Sequence, residues 1–318
     1  MCVLALGCFI PALHAQSRFF PLALVLEAAE FAALSGGVWR PDWPASLPPD
    51  AFRVTSGDVS GITLEGEGVL LSVRYGPGED RLREFPFMLN GRMAQVSLAF
   101  QCGEIRGITV EFLPGEIWEM EVLEREASCP AFPALVRVQA GGAWYFISLS
   151  RWARGITEVW ADVQGNVLWM YGFYLAEFAG DLRIRTVRDM ANPASPGTDF
   201  YYDSWGFPAV ISGPGGFFSA LRYRDAFLRY WERRPAGSGE DEVFYFQWDA
   251  GGFFVRMVAG TGEPGAASGL PSEYRFEYTL DDRGNWIERR EIRMVYHAGL
   301  LFPVPGAVFT RVLEYRQP

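Results

Sequence analysis

Tyr274-Arg-Phe-Glu-Tyr278-Thr-Leu-Asp281-Asp-Arg-Gly284-Asn285-Trp286-Ile-Glu-Arg289 reads as two strands and the turn that joins them. Aromatic and polar residues alternate up to Tyr278, the period of a strand with one buried face. Asp281 followed by Gly284 suits a type I turn. The Asp side chain accepts hydrogen bonds from the turn amides, and the Gly takes the positive-φ exit. The same unit occurs three times upstream, as Trp160-Ala-Asp162-Val-Gln-Gly165-Asn166, Tyr201-Tyr202-Asp203-Ser-Trp-Gly206-Phe207 and Gln247-Trp248-Asp249-Ala-Gly-Gly252-Phe253. Each predicts a β-hairpin. Turn capping is therefore assigned to Asp162 with Gly165, Asp203 with Gly206, Asp249 with Gly252, and Asp281 with Gly284.

Outward from these units the period stays at two. Val69, Leu71, Val73 and Tyr75 alternate with Leu70, Ser72 and Arg74, while Trp118, Met120 and Val122 alternate with Glu119 and Glu121. Ala143 to Leu149 is a continuous apolar run. Asn90-Gly91 lies between two apolar runs and predicts a two-residue hairpin. Arg222 to Glu232 fits a helix and a strand equally. Met190 to Thr198 and Gly260 to Pro271, rich in Gly and Pro, read as connections. Pro21 to Leu34 predicts one helix, with Pro at its start and Ser35-Gly36-Gly37 at its end. The expected fold is mainly β: antiparallel β-hairpins in a large curved sheet or sandwich, with one N-terminal helix. The segments expected are 1–15, 16–37 with the helix, a β-rich 38–150, and a hairpin region 151–318. A seam near Ser150 to Gly155 and one continuous domain are both compatible with the pattern.

Of 318 residues, 49% are hydrophobic and 15% aromatic, enough for a large core of short strands. All 28 basic residues are Arg, so lysine chemistry of any kind is excluded. A net charge of −10 with no basic stripe argues against a nucleic-acid partner. Cys2 to Leu13 is almost wholly apolar, and Ala12-Leu-His-Ala15 before Gln16 fits a signal-peptide cleavage site. The expected location is the periplasm or cell surface. Ala5-Leu-Gly-Cys8 supplies a rival reading as a lipoprotein anchored at Cys8. No transmembrane span is expected in the chain from Gln16. Cys102 and Cys129 form a candidate disulfide.

Tyr201-Tyr202-Asp203-Ser-Trp-Gly206 and the stretch from Tyr274 to Arg289 resemble the YD repeats of Rhs-type bacterial cell-surface proteins, over about residues 155–295. That family's motif is Tyr-Asp, two residues, then Gly-Asn. Asp203 with Gly206, and Asp281 with Gly284 and Asn285, match it. Trp248, Ala161 and Leu280 stand where the other units would have Tyr. The resemblance implies an exported protein of structural β-hairpins, in a family with links to carbohydrate binding.

Chemistry has few places to sit. His297 is the one His after Gln16, which excludes a multi-His metal centre, and no Gly-x-Ser-x-Gly elbow accompanies it. No cofactor or metal is implied. Glu119 and Glu121, two apart on one strand face, are the candidate carboxylate pair for a hydrolase. Asp281-Asp282 and Glu240-Asp241-Glu242 read as turn acids. Trp205, Phe207, Trp248, Phe253 and Trp286 cluster at the turns. They are either core or an aromatic strip for sugars or a partner protein. The leading functional expectation is a non-catalytic envelope protein with polysaccharide or another envelope protein as partner. The alternative is a carbohydrate-active hydrolase.

Overall fold

The computed structural model describes residues 19–26 and 51–316, apart from 53, 55–57, 67, 76–81, 90–91, 103, 113–114, 128, 179–180, 191–193, 195–196, 205–207, 225–226, 235–240, 262–271 and 298–299. The expected leader, the later part of the predicted helix, the Asn90-Gly91 turn and Trp205 to Phe207 lie outside the described residues.

Residues 22–26 are helical. After residue 58 the described residues form twenty strands joined by turns, with one short 3-10 turn at Pro214–Gly216. The first ten are β1 (Val59–Gly66), β2 (Val69–Tyr75), β3 (Leu82–Leu89), β4 (Arg92–Gln101), β5 (Glu104–Phe112), β6 (Glu116–Glu126), β7 (Cys129–Ala140), β8 (Ala143–Trp152), β9 (Gly155–Asp162) and β10 (Val167–Phe178). The second ten are β11 (Asp181–Asp189), β12 (Thr198–Tyr202), β13 (Pro208–Ser212), β14 (Phe218–Arg224), β15 (Phe227–Arg234), β16 (Glu242–Trp248), β17 (Phe254–Thr261), β18 (Ser272–Leu280), β19 (Trp286–His297) and β20 (Leu300–Tyr315). The ambiguous segment from Arg222 thus belongs to two strands, β14 and β15. Ser150 to Gly155 is the hairpin from β8 into β9, and the sheet runs through it.

Each strand pairs antiparallel with the next, and β1 pairs back onto β20. The result is a closed ring of twenty strands, which leaves no full-length edge to pair with other chains. The closing seam runs from Val59 opposite Tyr315 to Gly66 opposite Phe309. It is reinforced by the Arg316 amide, which donates to the Asp58 carbonyl at 2.9 Å, and by an Arg74–Glu314 ion pair at 2.6 Å.

Twenty strands kept circular enclose a lumen wider than strand side chains alone fill. Here the buried inner face is mostly aromatic and aliphatic. On β6, Trp118, Met120 and Val122 are buried while Glu119 and Glu121 are exposed, as the alternation predicts. The N-terminal segment supplies the extra filling. Phe20 packs its ring 5.5–5.8 Å from those of Phe112, Trp118 and Trp160, and Phe19 packs against Tyr145 and Trp160. A second cluster on β14–β18 is mostly aromatic, with Trp231 stacked on Phe244 at 4.8 Å and Phe254 tilted against Phe276 at 4.6 Å.

Three of the four Asp–Gly turns share one geometry. In each, the Asp amide donates to the carbonyl four residues on, and the Gly amide donates back to the Asp carbonyl, at 2.8–3.2 Å. Gly165, Gly252 and Gly284 have φ of 84°, 83° and 82°. Asp281 Oδ1 accepts from the amides of Arg283 and Asn285 at 2.9 Å. Since strand direction alternates round the ring, the turns at Asp203, Asp249 and Asp281 crown one rim and the turn at Asp162 sits on the other. A Cβ at Gly284 would meet no atom within 4 Å. The cost of Gly284→Ala is therefore conformational alone, expected at about 1 kcal/mol in a urea unfolding curve. No measurable change would mean the left-handed turn is not required.

The Cys102–Cys129 pairing is not formed: Cys102 is a free, exposed thiol. The reason lies in the topology. Cys102 ends the β4 hairpin and Cys129 opens β7, so two to three strand spacings separate them, about 10–14 Å. A disulfide needs Cα atoms within about 7 Å.

Candidate functional site

The most elaborate polar cluster is inside the ring. Ile156, Glu158 and Trp160 share the inward phase of β9, so the strand period carries a carboxylate into the core. Glu158 is fully buried. Its Oε1 accepts from the Leu22 amide at 3.0 Å and from the Trp160 indole at 2.8 Å, and its Oε2 accepts from the Ala23 amide at 2.9 Å. A carboxylate at the first amides of a helical turn also meets the positive end of the backbone dipoles. Burial pushes its pKa up to about 7, against the lowering effect of these hydrogen bonds. Tyr171 donates to the Phe19 carbonyl at 2.9 Å from the neighbouring strand. Together they fasten the N-terminal segment to the inner wall. Both carboxylate oxygens are engaged with protein donors, so the cluster is a clamp.

A second polar cluster lies at the Asp281 rim. Tyr315 of β20 donates to Asp281 Oδ2, and Asn285 donates to the Tyr315 hydroxyl at 2.8 Å. Arg283 lies over the Tyr315 ring at 4.0 Å. Arg311, buried, lies 4.1 Å over the Trp286 ring and donates to the Trp286 carbonyl. The turn between β18 and β19 is thereby tied to the closing strand.

The residues singled out in the sequence are scattered. Trp286 and Trp248 are both buried, 1% and 8% exposed, and Trp248 donates to the Leu228 carbonyl at 2.8 Å. They belong to the core, so the turns do not present them as an outward aromatic strip. Phe253 is half-buried against Tyr278, with ring centroids 5.3 Å apart. Glu119 and Glu121 stand on the open outer face of β6, where Glu121 is ion-paired with Arg137. An acid–base pair divides its labour when burial or charge sets two carboxyls apart. Neither Glu119 nor Glu121 is buried. Asp241 holds Arg234 through two hydrogen bonds of 2.8 and 2.9 Å, and Glu242 pairs with Arg233. Among the described residues no group of three potential metal ligands comes together.

What the sequence reading passed over is the outer end of β19 and β20. Tyr296, Leu300, Leu301, Phe302 and Val304 are 43–63% exposed there. A signal was present. From Ile292 to Leu313 the chain holds no Asp or Glu, and Pro303 and Pro305 interrupt an otherwise apolar run.

The outer wall elsewhere is mixed: Glu111, Glu119, Glu121, Arg275, Glu277 and Arg290 are exposed, and so are Leu70, Ile117, Trp144, Val167 and Val312. A membrane barrel turns an apolar band outward and a polar wall inward; here exposed carboxylates and guanidiniums alternate with apolar residues outside, and most of the buried face is aromatic and aliphatic. Among the described residues no helix is long and apolar enough to cross a membrane.

No family model and no curated protein matches the chain. Among solved structures it is similar to a porin-like protein from Bacteroides uniformis, at 10% identity and a TM-score of 0.35, over 81% of this chain and 99% of that one. It is also similar to a porin-like protein from Bacteroides vulgatus, at 9% identity and a TM-score of 0.26, over 82% of this chain and 99% of that one. At these scores nothing of those proteins carries over to this chain.

Proposed function

We propose that the chain is an exported bacterial envelope protein of the periplasm or cell surface with a non-catalytic role, either binding or structural. The observation that carries this reading is the filled ring. The interior is packed with aromatic side chains and plugged by the N-terminal segment, so it serves as a rigid shell rather than a channel. The candidate acids Glu119 and Glu121 stand on an open outer wall, which supports a binding or scaffold role over hydrolysis. Export rests on the apolar leader that ends at Ala15, and the YD-like turns fit a cell-surface shell. Envelope polysaccharide or another envelope protein remains the proposed partner.

The test has two parts. Fractionation of cells that express the chain with and without residues 2–15 should place the former in the envelope and the latter in the cytoplasm. The chain from Gln16, incubated with cell wall and insoluble polysaccharides, should then either pellet with one of them or stay soluble, without releasing reducing ends. Release of sugar that Glu119→Gln and Glu121→Gln abolish would overturn the non-catalytic reading. Cytoplasmic retention of the full chain would overturn export.

A further inference from the structure

We propose that the outer end of the β19–β20 ribbon is a membrane-contact device that seats its apolar tip in the interfacial layer of a lipid bilayer. This goes beyond the envelope reading and does not depend on it.

The register shows how far the ribbon stands clear. On one side β18 accompanies β19 as far as Glu273 opposite Met294. On the other side β1 joins β20 only from Phe309 onward. Among the described residues, Val295 to His297 and Leu300 to Phe302 pair with each other alone. Among the described residues, no strand neighbours one edge of β20 from Leu300 to Val308, a length of about 26 Å. The part beyond Met294 extends about 10 Å, which matches the depth reached by interfacial elements.

Apolar side chains stand on both faces, with His297 and Arg293 the polar exceptions. The pairs His297–Leu300, Val295–Phe302 and Arg293–Val304 share one face, and Tyr296–Leu301, Met294–Pro303 and Ile292–Pro305 share the other. A folded protein partner covers one face of a ribbon. A ribbon apolar on both faces suits a medium that surrounds it. Tyr296 brings a ring with a polar tip, the type of side chain that favours the boundary between headgroups and hydrocarbon.

Charge points the same way. The protein holds 38 acidic residues, yet none falls between Ile292 and Leu313. The exposed charge of the ribbon is Arg293 near its base, placed to meet lipid phosphate while the tip is buried. The prolines decide between a bilayer and a second copy of the chain. Pro303 and Pro305 are two residues apart, so their missing N–H groups fall on the same side of β20. Within a ladder, proline is tolerated where that side faces away from the paired neighbour, here the open edge. An edge without those donors is a poor template for an added strand. In a bilayer the same absence is favourable, because a lone N–H there has no acceptor.

The test is flotation of the chain from Gln16, which retains every described residue, with vesicles of phosphatidylethanolamine and phosphatidylglycerol. The wild-type chain is expected to float. Leu301→Asp with Phe302→Asp is expected to lower the bound fraction at least about tenfold while leaving the unfolding transition in place, since both side chains are exposed. Should that variant fail to fold, Val304→Asp on the opposite face from Leu301 gives the same comparison. Equal flotation of wild type and variant overturns the proposal, as does absence of flotation with folded wild-type protein. A concentration-dependent dimer that the same substitutions dissolve, without vesicle binding, overturns it in favour of self-association.

Discussion

Replacing Glu158 with Ala is expected to lower the unfolding free energy by about 4 kcal/mol near pH 5. The change strips the acceptor from three buried donors, the amides of Leu22 and Ala23 and the Trp160 indole. Each unpaired buried donor costs about 1–3 kcal/mol. It also loosens the segment that carries Phe19 and Phe20 into the core. The pH dependence identifies the group. Burial raises the folded pKa of Glu158 from 4.5 to about 7. The folded state therefore holds a proton that the unfolded state has lost, and the stability this represents is present below pH 4.5 and lost as pH rises towards 7. The loss amounts to about 3 kcal/mol. The carboxylates whose folded pKa is lowered act in another window. Glu273, held at about 2 by Arg256 and Arg275, and Asp162, held below its usual range by Asn166, destabilise the fold only on strong acidification. Urea unfolding at pH 5 and pH 8 should thus show a fall in wild-type stability that Glu158→Ala and Glu158→Gln both lack. Parallel pH profiles for all three proteins would mean that Glu158 is not buried against the N-terminal segment.

The second large effect concerns the tryptophans at the hairpin turns. Trp286→Ala and Trp248→Ala should each cost about 3–5 kcal/mol, the range for a large aromatic removed from a packed core. Trp286 touches Tyr278 and supports the buried guanidinium of Arg311. Trp248 sits between Phe227 at 4.9 Å and Phe254 at 5.3 Å. The expected readout is a shift of the whole unfolding transition. A folded Trp286→Ala protein with wild-type stability would instead place the ring outside the core and revive its role as a ligand contact.

These two results separate what a strand pattern conveys from what it leaves open. The Asp281 unit and its relatives were legible because a turn is local. Asp at the first position and Gly at the fourth satisfy the amides and the positive φ whatever the rest of the chain does. The mainly β fold and the inward phase of Trp118, Met120 and Val122 were legible for the same reason. Period two states which residues share a face, and on β6 the apolar set had to be the buried one. The aromatic turn residues were ambiguous because an aromatic ring suits a core and a binding strip equally. The direction in which Trp248 and Trp286 point depends on the curvature of the whole sheet. The disulfide expectation failed because spacing along the chain carries no information on how many strands stand between two turns.

The sequence by itself determined the elements of this protein: short antiparallel strands, their buried phase, the turn chemistry and an acidic, lysine-free exterior. Only the tertiary structure decided that twenty strands close on themselves through β1 and β20. It alone decided that the N-terminal segment plugs the interior against Glu158, and that the ends of β19 and β20 project past their neighbours. Turn and phase are set by forces acting over a few residues, whereas closure pairs Val59 with Tyr315 across nearly the whole chain. The summed burial of aromatic side chains on the inner wall, not any local preference, makes that pairing favourable.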